Sequence, residues 1–187
     1  MKGGGALTEA ADAELLAAAA QGDRNAFRVL YDRHAGSVHR FCRARLRQRE
    51  AASEAFQETF IAVWAGAAGY AGSAPVLAWM LGIARRKVAD QQRAAARRQA
   101  EQPVEAGAAA ADPGHAAVVE EAVDMWEALS RLPQGQHEAV LLTYGLGLSC
   151  EEAGRVMGVP AGTVKSRLHT ARLALARTLA GPNGVRP

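Results

Sequence analysis

The sequence predicts an all-α chain: two small helical domains joined by a flexible linker, the C-terminal one containing a helix-turn-helix. Three observations carry this. Hydrophobic residues make up 49% of the chain and aromatics only 5%. Alanine supplies much of the former, and such usage favours helices over sheets. No convincing period-two alternation appears. Residues 145–177 parse as a short helix, a tight turn and a second helix that is basic on one face. Residues 98–117 are dominated by Pro, Gly and Ala with no amphipathic pattern, which reads as a linker. The boundaries are a first domain over 1–98, a linker over 99–117, a second domain over 118–180 and a tail over 181–187.

The first block begins near Ala13. Phe27, Leu30, Tyr31, His34, Val38 and Phe41 recur at helical spacing and predict one buried stripe. Phe56, Phe60, Val63 and Trp64 predict the next. Residues 65–73 read as a flexible Gly-rich loop. After Pro75, the residues Leu77, Met80, Leu81, Ala84 and Val88 form a third stripe, with Arg86, Asp90 and Arg93 on the opposite side. In the second block, Val119, Ala122, Val123, Trp126 and Leu129 form a stripe that stops before Pro133. His137, Val140, Leu141 and Tyr144 predict the following one.

The helix-turn-helix comes next. Ser149 and Glu152 fit a capping box. Ala153, Val156 and Met157 supply its apolar stripe, and the glycines and proline of 158–162 break the helix. Val164, Leu168, Ala171 and Leu175 bury one side of the second helix. Thr163, Lys165, Ser166, Arg167, His169 and Thr170 lie off that stripe. An exposed cationic N-terminal half is what a DNA major groove accepts. Pro160 suits a first helical turn, where a hydroxyl cap is more usual.

The net charge is only +3, but its distribution is uneven. Arg40, Arg43, Arg45, Arg47 and Arg49 crowd one stretch. Arg85, Arg86, Lys87, Arg93, Arg97 and Arg98 crowd another, and Lys165, Arg167, Arg172 and Arg177 a third. Each cluster could neutralise phosphates or form a solvated face. Cys42 and Cys150 make neither a disulfide framework nor a zinc knuckle. Cys42 with His39 lacks a second metal-ligand pair, so a core role is favoured. Cys150 in a first helical turn could have a lowered pKa. No leader or membrane span is read, so a reduced, cytoplasmic setting is expected. No nucleophile-base-acid set, phosphate loop or metal-ligand helix appears. The chain therefore reads as no enzyme, with no cofactor, no metal and no small-molecule substrate. The scattered His34, His39, His115, His137 and His169 do not support a helical metalloenzyme.

Both blocks, in this order, resemble the sigma-70 family of bacterial transcription initiation factors, in the two-domain form of the extracytoplasmic-function group. Residues 21–27 with Leu30 and Tyr31 are similar to the family's opening helix. Gln57, Glu58, Thr59 and Phe60 with Val63 and Trp64 match its most recognisable signature. Residues 78–85 with Asp90 and Arg93 resemble its promoter −10 helix. Leu132 and Pro133, then residues 162–168, look like the −35 domain. The chain departs from the usual pattern at Arg86, at His137, at Ala153 and Gly154 and at Thr170.

The resemblance implies a factor that binds core RNA polymerase, recognises −35 and −10 elements and initiates transcription. Thr163, Lys165, Ser166, Arg167, His169 and Arg172 are the expected −35 contacts. Tyr70, Arg85, Arg86, Lys87, Asp90 and Arg93 are the expected −10 set. Melting exposes bases at a cost, so the captured strand needs cations and a receptive loop, here 66–74. Tyr70 reads equally as a half-buried loop anchor or a stacking ring, and Trp79 reads as core. Glu54, Gln57 and Glu58 form the face the resemblance assigns to the polymerase β′ coiled coil. The second block is implied to dock on the β flap. A probable anti-sigma factor completes the partners. The rival reading is a stand-alone helix-turn-helix regulator with residues 1–98 as its sensor.

Overall fold

The computed structural model describes residues 4–101 and 128–179. Every regular element among them is helical. The chain divides into two compact units, 1–109 and 110–187. Unit one holds α1 (Gly4–Glu9), α2 (Asp12–Ala20), α3 (Arg24–Arg45), α4 (Arg49–Gly66), a 3-10 turn (Ala67–Gly69) and α5 (Val76–Glu101). Unit two holds a helical turn over 128–130, then α6 (Gln134–Val140), a π turn (Leu141–Gly145), α7 (Cys150–Met157) and α8 (Ala161–Leu179). The predicted linker beyond residue 101 and the stripe from Val119 to Trp126 lie outside the described residues.

In unit one, α3, α4 and α5 pack together and α2 covers them. Asp23 caps α3, accepting from the backbone amides of Asn25 and Ala26 at 2.8 and 3.1 Å, which satisfies two of the four orphan donors. The core is built from Leu15, Leu16, Leu30, Val38, Phe41, Val63, Met80, Leu81 and Val88, with alanines 26, 52 and 55 between them. Alanine lets helix axes approach closely, so large side chains from the neighbouring helix fill the seam.

A carboxylate ties α2 to α3. Asp12 Oδ1 accepts from Arg33 at 2.6 Å, and its other oxygen lies 2.7 Å from His34 Nε2. Arg33 also donates to the carbonyls of Thr8 and Ala10. One guanidinium thereby gathers the end of α1 and the start of α2, where a cation complements a helix C-terminus.

Several expected stripes shift. Phe27 and Phe56 are only half-buried, while Tyr31 and Trp64 are exposed. Together with Phe60 they line the α3–α4 seam, Phe27 meeting Trp64 edge-on at 5.0 Å and Tyr31 meeting Phe60 at a tilt at 4.7 Å. The inward positions belong instead to Ala26, Cys42, Ala52, Ala55 and Thr59. The predicted loop at 65–73 is shorter than expected. Helix α4 continues to Gly66, and Ala67 is buried in the 3-10 turn that packs on α2. Helix α5 runs past residue 98 to Glu101, because 94–100 are strong helix formers and Pro103 comes only later.

Unit two holds the predicted helix-turn-helix. Ser149 and Glu152 form the reciprocal box, the Ser149 amide donating at 2.7 Å and its hydroxyl accepting at 3.2 Å. Gly158 ends α7 at φ +68°, and the Val159 amide returns to the Gly154 carbonyl at 2.9 Å. This is a Schellman closure, whose left-handed residue favours glycine. Pro160 stands just before α8 rather than inside its first turn, and its carbonyl accepts from the amides of Thr163 and Val164. The stripe expected at His137, Val140, Leu141 and Tyr144 is replaced by Glu138, Ala139 and Leu142. The π turn adds a residue to the repeat and turns Tyr144 out, where it is 70% exposed.

Gly154 reads from sequence as a weak spot in the helix. In the fold it is a close approach: a Cβ there would stand 2.7 Å from the Val159 carbonyl oxygen. We predict that Gly154→Val lowers the stability of unit two by about 1–3 kcal/mol, since the obstructing atom is backbone and valine adds β-branching. A urea midpoint unchanged or raised for the full chain contradicts this. Burial pushes the Cys42 thiol up to about 12, whereas an unfolded thiol sits near about 8.5. Its contribution to stability is therefore complete below the unfolded value and is lost as pH rises towards the folded one. At pH 8 a disulfide reagent is expected to label half-exposed Cys150 in the native chain and Cys42 only after denaturation. Equal native rates for both thiols would refute it.

Candidate nucleic-acid interface

Helix α8 buries Val164, Leu168 and Ala171 against α6 and α7. Helical geometry then places Lys165, Ser166, His169 and Arg172 on the opposite, exposed side. These four share one face at i, i+1, i+4 and i+7. Thr170 is turned back on the helix, its hydroxyl donating to the Ser166 carbonyl at 3.1 Å. Thr163 is half-buried in the first turn. Arg167 differs from its neighbours. It is half-buried, and a Cβ on Gly135 would meet its guanidinium carbon at 3.2 Å. Arg167 thus packs over the start of α6, close against Gly135.

The first-unit residues divide similarly. Arg86, Asp90 and Arg93 are exposed on α5, and Arg85 and Lys87 are half-buried. Arg93 pairs with Asp90 one turn away. Lys87 Nζ lies 3.4 Å from Glu58 Oε2 on α4. That contact joins a residue expected to meet DNA to one expected to meet polymerase, a pairing that 29 residues of separation hid from the sequence. Tyr70 anchors its loop. Its hydroxyl donates to the Ala74 carbonyl, and its ring meets half-buried Trp79 edge-on at 5.4 Å. The same indole lies against Gly66. Between these anchors Ala71, Gly72 and Ser73 are exposed, with Gly72 at φ +68°.

On α4, Glu54 and Gln57 are exposed and Glu58 is half-buried. Beside them stand Ile61, 69% exposed, and Trp64. The polar face read from sequence is therefore half apolar, and it continues into the aromatic edge of Phe27 and Tyr31. Exposed clusters of this kind mark protein contacts. Among the described residues, no three His, Cys, Asp or Glu side chains converge as a metal site, and no helix is long and apolar enough to cross a membrane.

Known proteins share this arrangement. Residues 30–98 match Sigma-70 region 2 and residues 122–175 match Sigma-70, region 4. The ECF RNA polymerase sigma factor SigM of Mycobacterium tuberculosis (strain ATCC 25618 / H37Rv) is 38% identical over 177 residues, covering 95% of this chain and 89% of SigM. SigD of Mycobacterium bovis (strain ATCC BAA-935 / AF2122/97), also an ECF RNA polymerase sigma factor, is 37% identical over 166 residues, 84% of this chain and 78% of SigD. Among solved structures, CnrH in complex with the cytosolic domain of CnrY gives a TM-score of 0.70 at 27% identity, over 93% of this chain and 100% of that one. The sigma factor RpoE of Bartonella quintana, in complex with the anti-sigma factor NepR, gives 0.70 at 25%, over 84% of this chain and 98% of that one. With an ordered pair of helical units, an open basic helix in the second and close relatives along nearly its whole length, the chain belongs to the extracytoplasmic-function group of the sigma-70 family and is an RNA polymerase sigma factor for promoter recognition.

Proposed function

We propose a division of labour between the two units, with domains at 1–98 and 118–180. Helix α8 reads the −35 element through Lys165, Ser166, His169 and Arg172, with Thr163 at its N-terminus. The observation that carries this is their shared, open face on a helix whose other side buries Val164, Leu168 and Ala171. Lys165 and Arg172 suit phosphates, while Ser166 and His169 suit base edges. Arg167 supports the reading indirectly, by setting α8 against α6. In the first unit, the loop before α5 receives the melted −10 strand. Arg85, Arg86, Lys87 and Arg93 track its backbone, and Asp90 orients Arg93. Tyr70 shapes the loop as an anchor through its bonds to Ala74 and Trp79.

The α4 face of Glu54, Gln57, Glu58, Ile61 and Trp64 engages the β′ coiled coil of core polymerase, and the second unit docks on the β flap. An anti-sigma factor covers the chain when it is inactive, as the two solved relatives captured with bound partners suggest by analogy. The chain performs no catalysis of its own and works in the cytoplasm, beside the polymerase it serves. Run-off transcription with purified core polymerase across a promoter library tests the whole reading.

Lys165→Ala is expected to weaken −35-dependent promoter binding on the order of tenfold while leaving polymerase affinity intact. Loss of the polymerase complex instead would invert the assignment. Ile61→Asp places a charge on an exposed apolar position, so the thermal midpoint should hold while core-polymerase affinity, read by fluorescence anisotropy, falls at least tenfold. Undiminished affinity would remove this face from the polymerase contact.

A further inference from the structure

Four of the first unit's cations are answered by a carboxylate. Arg28 pairs with Asp32, Arg33 with Asp12, Lys87 with Glu58 and Arg93 with Asp90. Cations are most crowded, with least acid among them, at the corner where α3 ends and α4 begins. From 40 to 53 the chain carries five arginines, at 40, 43, 45, 47 and 49, against the single acid Glu50. Arg40, Arg47 and Arg49 are exposed, and none of them forms an ion pair or side-chain hydrogen bond among the described residues.

Helix stability explains part of this cluster. Arg43 and Arg45 lie in the last turn of α3, where a cation complements the helix dipole. It does not explain Arg49, which opens α4, where the dipole opposes a cation. Nor does it explain Arg40 and Arg47, which neither pack nor pair. Like charges gathered on one surface repel and raise the local positive potential, so an anionic partner is what the arrangement favours.

The corner has a fixed relation to the strand-capturing loop. Gln92 of α5 donates to the Arg45 carbonyl at 3.1 Å, which fastens α5 to the end of α3. Gln92 lies 16 residues along the helix from Val76, where the loop ends. At about 1.5 Å per residue this is about 24 Å, or about seven base pairs at roughly 3.4 Å each. Exposed Arg86 lies along α5 between loop and corner, and exposed Arg93 stands beside the corner contact itself. The corner offers no exposed aromatic ring, its one aromatic, Phe41, being fully buried. A site for unpaired bases would need a stacking surface, whereas duplex phosphates need only cations.

We propose that Arg40, Arg47 and Arg49 form a third DNA contact, a clamp on duplex phosphates about seven base pairs from the strand held at the loop. This contact rests on the promoter-binding role proposed above and adds to it a site that reads position but no sequence. The test is the salt dependence of promoter binding by holoenzyme carrying R40A/R47A/R49A. Each lost phosphate contact should flatten the log–log slope by about one, so the triple variant should be shallower by two to three and bind at least tenfold more weakly at low salt. Hydroxyl-radical protection should disappear at one place, about seven base pairs from the melted segment. The all-lysine triple variant should retain the slope. An unchanged slope overturns the proposal, as does a fall in core-polymerase affinity, which would mean that the corner faces protein. A wild-type chain that opened no promoter would sink the sigma reading separately. The slope of free-chain binding to duplex, wild type against triple variant, would still decide the clamp.

Discussion

The antiparallel packing of α4 on α5 is the constraint from which the first unit's surfaces follow. At one end the seam closes over the loop, with Trp79 against Gly66 and Tyr70 bonded to Ala74. Along its length Val63, Met80, Leu81 and Val88 are buried. Once that face is buried, the remaining faces have no freedom. Helix α4 must turn Gln57 and Ile61 outward, and α5 must turn Arg86 and Arg93 outward. The two proposed contact surfaces are thus two sides of one helix pair. The Glu58–Lys87 contact at 3.4 Å bridges them. Both side chains are partly solvated, so the pair contributes at most about 1 kcal/mol to stability. Its larger consequence is positional: a protein that binds Glu58 changes the charge facing Lys87.

Asp12 plays a different part. Its carboxylate is held by Arg33 and by His34, a residue only 9% exposed. The Arg33 pair is partly solvated, so it returns little net stability. What the two contacts impose is register. Only one placement of α2 on α3 satisfies Asp12, and Arg33 adds the Thr8 and Ala10 carbonyls to the same requirement. Since α2 also packs on the 3-10 turn that leads into the loop, the register of the N-terminal helices is carried to the place where a melted strand would be received.

Much of this was legible in the sequence, and the failures share a cause. The capping box at Ser149, the break at Gly158 and the stripe of Val164, Leu168 and Ala171 are local signals, and local signals survive in the fold. The α3 stripe was misjudged because Phe27 and Tyr31 repeat at helical spacing whether they face a core or a seam. Alanines 26, 52 and 55 carry the true inward face, but a small side chain gives a weak periodic signal. In unit two the π turn shifts the phase of the repeat, which no periodicity fixed at 3.6 can register. Gly154 reads as a defect by helix propensity, and its value depends on a carbonyl five residues away. The closeness of the Arg167 guanidinium to Gly135 left no trace in the sequence, because the two lie 32 residues apart. The Glu58–Lys87 contact left no trace in either helix alone.

Charge counting explains why such a protein would need several weak grips. The open face of α8 carries two permanent cations, Lys165 and Arg172, together with His169. Neutralising two phosphates gives a salt slope of only about −2, against about −10 for a repressor that holds its operator unaided. At physiological salt that electrostatic term is too small to retain a promoter by itself. Added base contacts are worth about 1–3 kcal/mol each, and there is room on that face for only one or two. Recognition by this unit must therefore be summed with contacts made elsewhere, by the first unit and by the enzyme that carries both. The sparse charge of α8 thus suits a reader whose grip is shared rather than one that holds a promoter unaided.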